Sequence, residues 1–151
     1  MFLKIVSGGQ TGVDRAALDF ALAEGIEHGG WCPRGRRAED GKISATYNLQ
    51  ETPERSYRQR TQWNVRDTDA TLIIINRELK GGTLYTLKTA RKMGKPVLEV
   101  SFTEGADERA VDEWLESNSV KVLNVAGPRS SSEPAIYALS LEFLRKLYMS
   151  R

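Results

Sequence analysis

Short apolar segments alternate with amphipathic segments along the chain. Residues 3–7 are mostly apolar, and from Val13 to Gly25 apolar side chains recur every three or four positions, so the pattern predicts a strand followed by a helix over about residues 11–24. Residues 70–75 are almost continuously apolar, which is typical of a strand buried on both faces of a parallel sheet. The same alternation of strand and helix is therefore indicated in both halves of the chain.

The remaining periodic segments extend this alternation. Further strands are predicted at about residues 26–32, 97–100 and 120–125, and further helices at about residues 54–65, 81–93, 106–116 and 134–148. Strands that alternate with helices form right-handed βαβ units, whose strands lie parallel in one sheet. We therefore predict an α/β fold, a three-layer Rossmann-like open parallel sheet of about five strands with helices on both faces, in a single domain over residues 1–151.

The composition narrows the class of protein. Hydrophobic residues make up 40% and charged residues 28% of the chain, which excludes a disordered or fibrous protein, and no apolar run is long enough to span a bilayer. The first residues, MFLKIVSGG, lack the long apolar core of a secretory signal, so we expect a cytoplasmic protein. A single Cys32 and a single His28 cannot form a disulfide or a Cys/His zinc site, and we expect no protein-ligated metal.

Positive charge is concentrated in one part of the chain. The whole protein carries a net charge of +2, but residues 34–66 hold eight basic and four acidic residues, and the other 14 basic and 16 acidic residues leave the remainder at −2. Seven of the eight cations are arginine, whose planar fork matches phosphate or carboxylate. The polar stretch that follows the predicted strand at residues 26–32 and lasts to about Pro53 predicts a long loop. Loops of this length are usually functional or disordered. An anionic ligand and a solvated arginine-rich surface both fit this charge.

Three glycine-rich segments, Ser7–Gly12, Gly81–Thr83 and Gly127–Ser130, each follow a predicted strand and precede a predicted helix. Ligands of open parallel sheets bind at the carboxyl ends of the strands, where helix N-termini present unpaired N–H groups to anions. The three loops together therefore predict an anion pocket. Gly12 is followed by Val13, so the lysine of a P-loop is missing, and the fingerprint of a dinucleotide site is not matched either.

Several motifs together resemble the bacterial molybdenum cofactor carrier family almost from end to end. They are SGGQTGVDRAALDFAL, GGWCPRGRRAEDGKI, YRQRTQWNVRDTD, GGT and NVAGPRSS. That family is similar to the LONELY GUY phosphoribohydrolases and the DNA-processing Rossmann-like proteins, from which it differs by a circular permutation. In this chain residues 8–12 resemble the second glycine loop of the hydrolases, residues 127–130 resemble their first, and Arg60 together with residues 81–83 is similar to their arginine helix and PGGxGTxxE segment.

One departure from the hydrolase pattern bears on function. The glutamate of GTxxE falls on Thr86, which cannot stabilise an oxocarbenium-like centre or activate water. Another acid would have to replace it, and Glu39, Asp40 and Glu51 are the candidates in the polar loop. The resemblance therefore favours a carrier that binds a phosphate-bearing pterin- or nucleotide-derived ligand. The alternatives are a nucleotide N-glycosidase and, more weakly because the net charge is only +2, a protein that binds single-stranded nucleic acid.

The expected ligand-binding residues combine the three loops with nearby arginines, and the loop from Arg34 to Pro53 is expected to close over the ligand. They are Gly8, Gly9, Gln10, Thr11, Gly12, Arg15, Arg34, Arg60, Gly81, Gly82, Thr83, Gly127, Pro128 and Arg129. The carried ligand implied by the resemblance is molybdopterin, which would bring its own metal. We expect no membrane partner, and the apolar last helix would suit a homo-oligomer.

Three further side chains have two interpretations each. Trp31 and Trp63 could stack on a flat heterocycle, but packing in the core is favoured. Asp14 lies in the first turn of a predicted helix, and the favoured interpretation is that it caps that helix.

Overall fold

A computed structural model of the protein describes residues 2–150, so Met1 and Arg151 lie outside the described range. In chain order the elements are β1 (Lys4–Val6), α1 (Val13–Glu24), β2 (Glu27–Gly29), β3 (Trp31–Cys32), β4 (Arg37–Ala38), β5 (Gly41–Lys42), β6 (Gln50–Glu51), α2 (Tyr57–Arg66), β7 (Ala70–Ile75), α3 (Gly81–Lys92), β8 (Val97–Ser101), a 3₁₀ turn (Phe102–Glu104), α4 (Glu108–Ser117), β9 (Val122–Ala126) and α5 (Ile136–Met149). The predicted alternation of strands and helices is confirmed.

The main sheet has five parallel strands in the order β2-β1-β9-β7-β8. The central strand β9 aligns Leu123 with Ile5 of β1 on one side and with Ala70 of β7 on the other. Because β1, β9 and β7 are adjacent, the segments that follow them leave the sheet side by side at its carboxyl edge. The predicted open parallel sheet of a Rossmann-like fold is therefore confirmed.

Side chains of β7 alternate between two cores, which explains why all six of its residues are buried. Leu72 and Ile74 face a large core formed with α1, α4 and α5, where Phe20 is fully buried. Ile73 and Ile75 face the opposite side, where they pack against Leu87 of α3. Helices therefore cover both faces of the sheet. None of the helices within residues 2–150 is long and apolar enough to cross a bilayer.

The predicted strand at residues 26–32 is interrupted at Gly30. Ser7 donates its N–H to Gly29 O at 3.1 Å, and a Cβ on Gly30 would lie 2.3 Å from Ser7 O. Gly30 also has a φ of +131°, which residues with side chains rarely adopt. The chain therefore turns out of the main sheet at this point, and β3 pairs with β6 instead of extending β2.

The polar segment of residues 33–53 is more ordered than a long loop. It contains the β4–β5 hairpin, and its few apolar side chains, among them Ile43 and Leu49, form a small core with Leu18 and Cys32. Arg36 donates to four backbone oxygens of the same segment, those of Ile43, Ser44, Tyr47 and Leu49. The segment packs on α1 through Leu18 and Arg15, and none of its residues lines the cavity described below; its closure over a ligand stays a prediction.

All the helices except α3 begin two or three residues later than the sequence pattern predicts, and the cause is visible at the first two. The first begins at Val13 instead of residue 11, because the glycine loop continues to Gly12, whose φ is +82°. The second begins at Tyr57, where the hydroxyl of Ser56 accepts the N–H of Arg58 and caps the first turn.

Candidate functional site

A cavity of about 460 Å³ lies at the carboxyl edge of the sheet, where the segments after β1, β9 and β7 meet. Nine of the fourteen expected ligand-binding residues line it: Gly8, Gln10, Arg60, Gly81, Gly82, Thr83, Gly127, Pro128 and Arg129. The three glycine loops therefore share one cavity, as their positions after parallel strands predict.

The other five expected residues, Gly9, Thr11, Gly12, Arg15 and Arg34, lie outside the cavity lining. Arg15 donates two hydrogen bonds to Gly9 O, at 3.0 and 3.2 Å, and pairs with Asp40. Arg34 is exposed, and its backbone N–H bonds to Glu54 O. Most of the β1–α1 loop is thus held by the protein's own contacts.

A buried ion pair forms part of the cavity wall. Arg60 Nη1 lies 3.0 Å from Asp14 Oδ2, and the two side chains are only 14% and 6% exposed. A Cβ on Gly8 would lie 1.8 Å from Arg60 Nη1, so only glycine leaves room for the guanidinium. Burial raises the pKa of the Asp14 carboxyl above its ordinary range, and Arg60 opposes that rise by favouring the charged form.

This ion pair corrects the favoured interpretation of Asp14. No side chain caps α1, and the carboxylate of Asp14 instead accepts the N–H of Gln10 in the preceding loop at 3.3 Å. The first turn of a helix suits an aspartate for several reasons, so the sequence alone did not distinguish a cap from an ion pair with Arg60, which lies 46 residues away in the sequence.

The N-terminus of α3 opens into the cavity. Within the described residues the N–H groups of Gly81, Gly82 and Thr83 have no hydrogen-bond partner, and the preceding Lys80 provides no side-chain cap. A Cβ on Gly81 or Gly82 would meet nothing within 4 Å. Thr86, which stands at the position of the hydrolase glutamate, also lines the cavity, but its hydroxyl donates to Gly82 O at 3.0 Å. This helix terminus therefore offers free donors to an anion.

One face of α2 lines the cavity with residues that, apart from Arg60, are not among the fourteen expected binding residues. Tyr57, Arg60, Thr61 and Asn64 recur at steps of three and four residues, so the helical period combined with the expected Arg60 could have identified them. Arg58 also lines the cavity, and its guanidinium lies 4.9 Å from the ring centre of Tyr85 in α3. The structure thus adds an arginine and two tyrosines to the expected set.

Glu39 links the β4–β5 hairpin to the loop after β9. Its carboxylate accepts the hydroxyls of Thr11 and Ser131 and the N–H of Ser131, and it lies 3.7 Å from Arg129 Nε. These hydroxyl bonds hold the pKa of Glu39 below its ordinary value. Donors of the segment after β9 are therefore already bound to a carboxylate of the chain itself.

The three acids considered as replacements for the hydrolase glutamate all lie outside the cavity lining. Glu39 holds the loop after β9, Asp40 pairs with Arg15, and Glu51 accepts the N–H of Gly35 at 2.6 Å. Of the carboxylates that do line the cavity, Asp14 is committed to Arg60.

The remaining candidate side chains have structural partners. Trp31 and Trp63 pack edge to face with ring centres 4.7 Å apart, but both are only half-buried and neither belongs to a hydrophobic core cluster, so their packing in the core is not confirmed. Cys32 is fully buried, and that burial raises the pKa of its thiol. Among residues 2–150, no three His, Cys, Asp or Glu side chains are grouped in a way that could hold a metal ion.

The fold and the cavity together define an α/β protein with a cavity at the carboxyl edge of an open parallel sheet, where ligands of such sheets bind. The circularly permutated YpsA SLOG family matches residues 5–148, and the chain belongs to this family. A crystal structure described as a "Putative molybdenum carrier protein" from Syntrophus aciditrophicus is 46% identical and superposes with a TM-score of 0.93 over 95% of this chain and 93% of that one. No curated protein matches the sequence. The circular permutation expected from the motifs is thereby confirmed.

Proposed function

We propose that the protein binds and carries a small phosphate-bearing ligand, derived from a pterin or a nucleotide, in the cavity between α2 and α3. The observation that carries this proposal is the open N-terminus of α3, whose first three residues line the cavity and whose first three N–H groups have no partner in the described chain. Such a terminus combines unpaired donors with a partial positive charge, and both favour an anion.

Side chains around this terminus add to its attraction for an anion. Lys80 and Arg129 line the cavity but are paired, with Glu78 at 3.5 Å and with Glu39 at 3.7 Å, and Asp14 and Arg60 neutralise each other. Within residues 2–150, Arg58 is the lining cation that has no ion-pair partner, as Glu133 is among the lining acids. Tyr57 and Tyr85 provide rings beside the same space, as binding of a flat heterocycle requires. The molybdenum carrier described from Syntrophus aciditrophicus suggests the molybdenum cofactor as the ligand to test first.

Carriage fits the cavity better than hydrolysis of a glycosidic bond. Thr86 stands where the sequence resemblance places the hydrolase glutamate, and its hydroxyl is bonded to Gly82 O, while the carboxylate of Asp14 is held in an ion pair with Arg60. Reversible binding needs only donors and a matching shape. We expect samples incubated with adenosine monophosphate to release no free base beyond the rate without protein.

The proposal is tested by calorimetric titration with purified molybdenum cofactor, adenosine monophosphate, molybdate and inorganic phosphate. We expect a phosphate-bearing ligand to bind, and Arg58→Ala to weaken that binding about tenfold, since a charge-assisted hydrogen bond contributes about 1.5–3 kcal/mol. Arg34→Ala is the matched control, because Arg34 is an exposed arginine outside the cavity. Absence of binding for every ligand, or equal losses in the two variants, would contradict the proposal.

A further inference from the structure

Three buried polar side chains line the cavity with an atom that has no partner. Gln10, Asp14 and Thr83 are 6%, 5% and 8% exposed, so each is more than nine-tenths buried. Within the described residues no hydrogen bond reaches Gln10 Nε2, Asp14 Oδ1 or Thr83 Oγ1, although none of these atoms is completely shut off from solvent. Buried polar groups are normally paired, so these atoms are available to a ligand.

The orientation of the Gln10 amide follows from its own contacts. Its Oε1 accepts the N–H of Thr11 at 3.0 Å and the N–H of Glu39 at 2.9 Å. Only the oxygen of an amide can accept, so the nitrogen end, with two N–H donors, is the end left unpaired at the cavity. Gln10 therefore presents a donor and not an acceptor to a ligand.

Asp14 presents the opposite kind of atom beside it. Its Oδ2 accepts from Arg60 Nη1 at 3.0 Å and from the N–H of Gln10 at 3.3 Å, whereas Oδ1 has no partner. A carboxylate oxygen accepts hydrogen bonds and repels an ionised phosphate. This part of the cavity is therefore suited to a neutral group of the ligand, and the phosphate is left to the N-terminus of α3.

From this pair we infer that Asp14 and Gln10 bind a hydroxyl of the ligand, which donates to Asp14 Oδ1 and accepts from Gln10 Nε2. A hydroxyl is the simplest neutral group that supplies both a donor and an acceptor. Because the hydroxyl pair and the free N–H groups of α3 share one cavity, the ligand class is a phosphorylated sugar, as found in a nucleotide. The inference rests on the proposed function and names the ligand class for the same site.

Titration with adenosine monophosphate and its 2′,3′-dideoxy analogue tests the inference, because the two ligands carry the same phosphate and base. We expect the wild-type protein to prefer the hydroxylated ligand at least tenfold, since a site built around a hydroxyl rejects an analogue that lacks it. Gln10→Glu retains the oxygen that holds the loop but replaces the free donor with an acceptor. We expect the ratio of the two affinities to fall to about one in this variant. Asp14→Asn should lower the preference in the same way.

A control variant and the ratio of the two nucleotide affinities show whether a change reflects recognition of the hydroxyl, or only altered charge or folding. Gln59→Glu adds the same charge at a glutamine whose Oε1 also accepts a backbone N–H, that of Glu54, but which lies outside the cavity lining, and its preference should equal that of the wild type. Circular dichroism and the melting temperature of each variant verify that it folds.

Each other outcome overturns a defined statement. Equal binding of the two nucleotides by the wild type, or binding of molybdenum cofactor but not of adenosine monophosphate, overturns the inference and leaves the proposed function standing. A preference that survives both Gln10→Glu and Asp14→Asn overturns the assignment of these residues. Absence of binding by every phosphate-bearing ligand overturns the inference and the proposed function together.

Discussion

The N-termini of α1 and α3 both follow a strand of the sheet, and both have glycine at or just before the first helical residue. They differ in their surroundings, since the first is closely packed and the second is open. At α1 the N–H of Val13 bonds to Pro128 O, the N–H of Thr11 bonds to Gln10, and a Cβ on Gly12 would lie 2.3 Å from Pro128 O. At α3 the first N–H groups are free, and a Cβ on Gly82 would meet nothing within 4 Å.

This difference shows that a glycine loop after a parallel strand has two distinct uses. In the β1–α1 loop glycine lets other parts of the chain approach closely, as the guanidinium of Arg60 approaches Gly8 and the backbone of Pro128 approaches Gly12. At Gly81–Thr83 it leaves open space and unpaired N–H donors. We therefore expect the backbone of the first loop to contribute mainly to stability and the backbone of the second to bind the phosphate, and each prediction below tests that division.

The largest expected effect is on the buried ion pair beside the β1–α1 loop. Arg60→Ala leaves the Asp14 carboxyl without its cation, and breaking a buried pair in this way costs about 3–5 kcal/mol of the free energy of unfolding at pH 7. Burial alone then raises the pKa of Asp14 further, so the folded variant gains a proton at a pH where the unfolded chain does not. Urea unfolding should show a smaller deficit at pH 5 than at pH 7.

An exposed arginine provides the control for this variant. Arg34→Ala should change the free energy of unfolding by no more than about 0.5 kcal/mol, as is usual for a surface position. Arg60→Ala could instead lose no more unfolding free energy than this control, or lose more as the pH falls. Either result would show that the ion pair does not stabilise the cavity wall.

The next largest effect is expected at Gly12. Gly12→Ala places a methyl group against Pro128 O at a φ of +82°, and strain of the backbone together with overpacking should cost about 3 kcal/mol. Chemical denaturation of the variant measures that loss. If the variant is as stable as the wild type, the β1–α1 loop is not closely packed and its role is not structural.

Gly82→Ala makes the same chemical change at the other helix and should have the opposite result. The position is helical and open, so alanine should stabilise the protein by about 0.5–1 kcal/mol. The added methyl group borders the cavity, and we expect binding of adenosine monophosphate to weaken several-fold. If Gly82→Ala lowers stability and leaves binding unchanged, the loop at α3 has a structural role, contrary to our assignment.

The smallest expected effect concerns the Glu39 contacts to the loop after β9. The pKa of Glu39 is lowered in the folded protein from its ordinary value of 4.5. These contacts therefore contribute fully to stability at pH values above 4.5, and their contribution is lost as the pH falls through the lowered pKa. Glu39→Gln should therefore reduce stability near neutral pH and flatten the pH dependence between about pH 5 and 3. Thermal unfolding across this range measures the pH dependence of stability. If it is the same in Glu39→Gln and the wild type, the Glu39 contacts do not stabilise the fold.

Much of the fold could be predicted from local patterns. Residues 70–75 gave the bounds of β7 because every side chain except Thr71 is apolar, and Gly25 ends α1 in the left-handed conformation that its sequence position suggests. The small strands of residues 33–53 could not be predicted in this way, since Ile43 and Leu49 are isolated apolar residues whose burial depends on Leu18 of α1.

The candidate site was predicted to the level of its loops but not of its contacts. Parallel topology places three glycine segments at one edge, which sequence order reveals. Whether an arginine faces the cavity depends on partners far away in the sequence, as Arg15 with Asp40 and Arg60 with Asp14 show. No local pattern distinguishes those arginines from Arg58, which lines the cavity although it is not among the expected binding residues.

The most direct test of the central claim is the response of backbone N–H groups to a phosphate-bearing ligand. Titration of ¹⁵N-labelled protein with adenosine monophosphate or molybdenum cofactor would follow the amide resonances of both glycine loops. The account predicts that the N–H signals of Gly81, Gly82 and Thr83 shift most, whereas those of Gly9 and Gly12 shift little because that loop is already held by the chain. Shifts confined to Gly9 and Gly12, or no shifts in either loop, would contradict it.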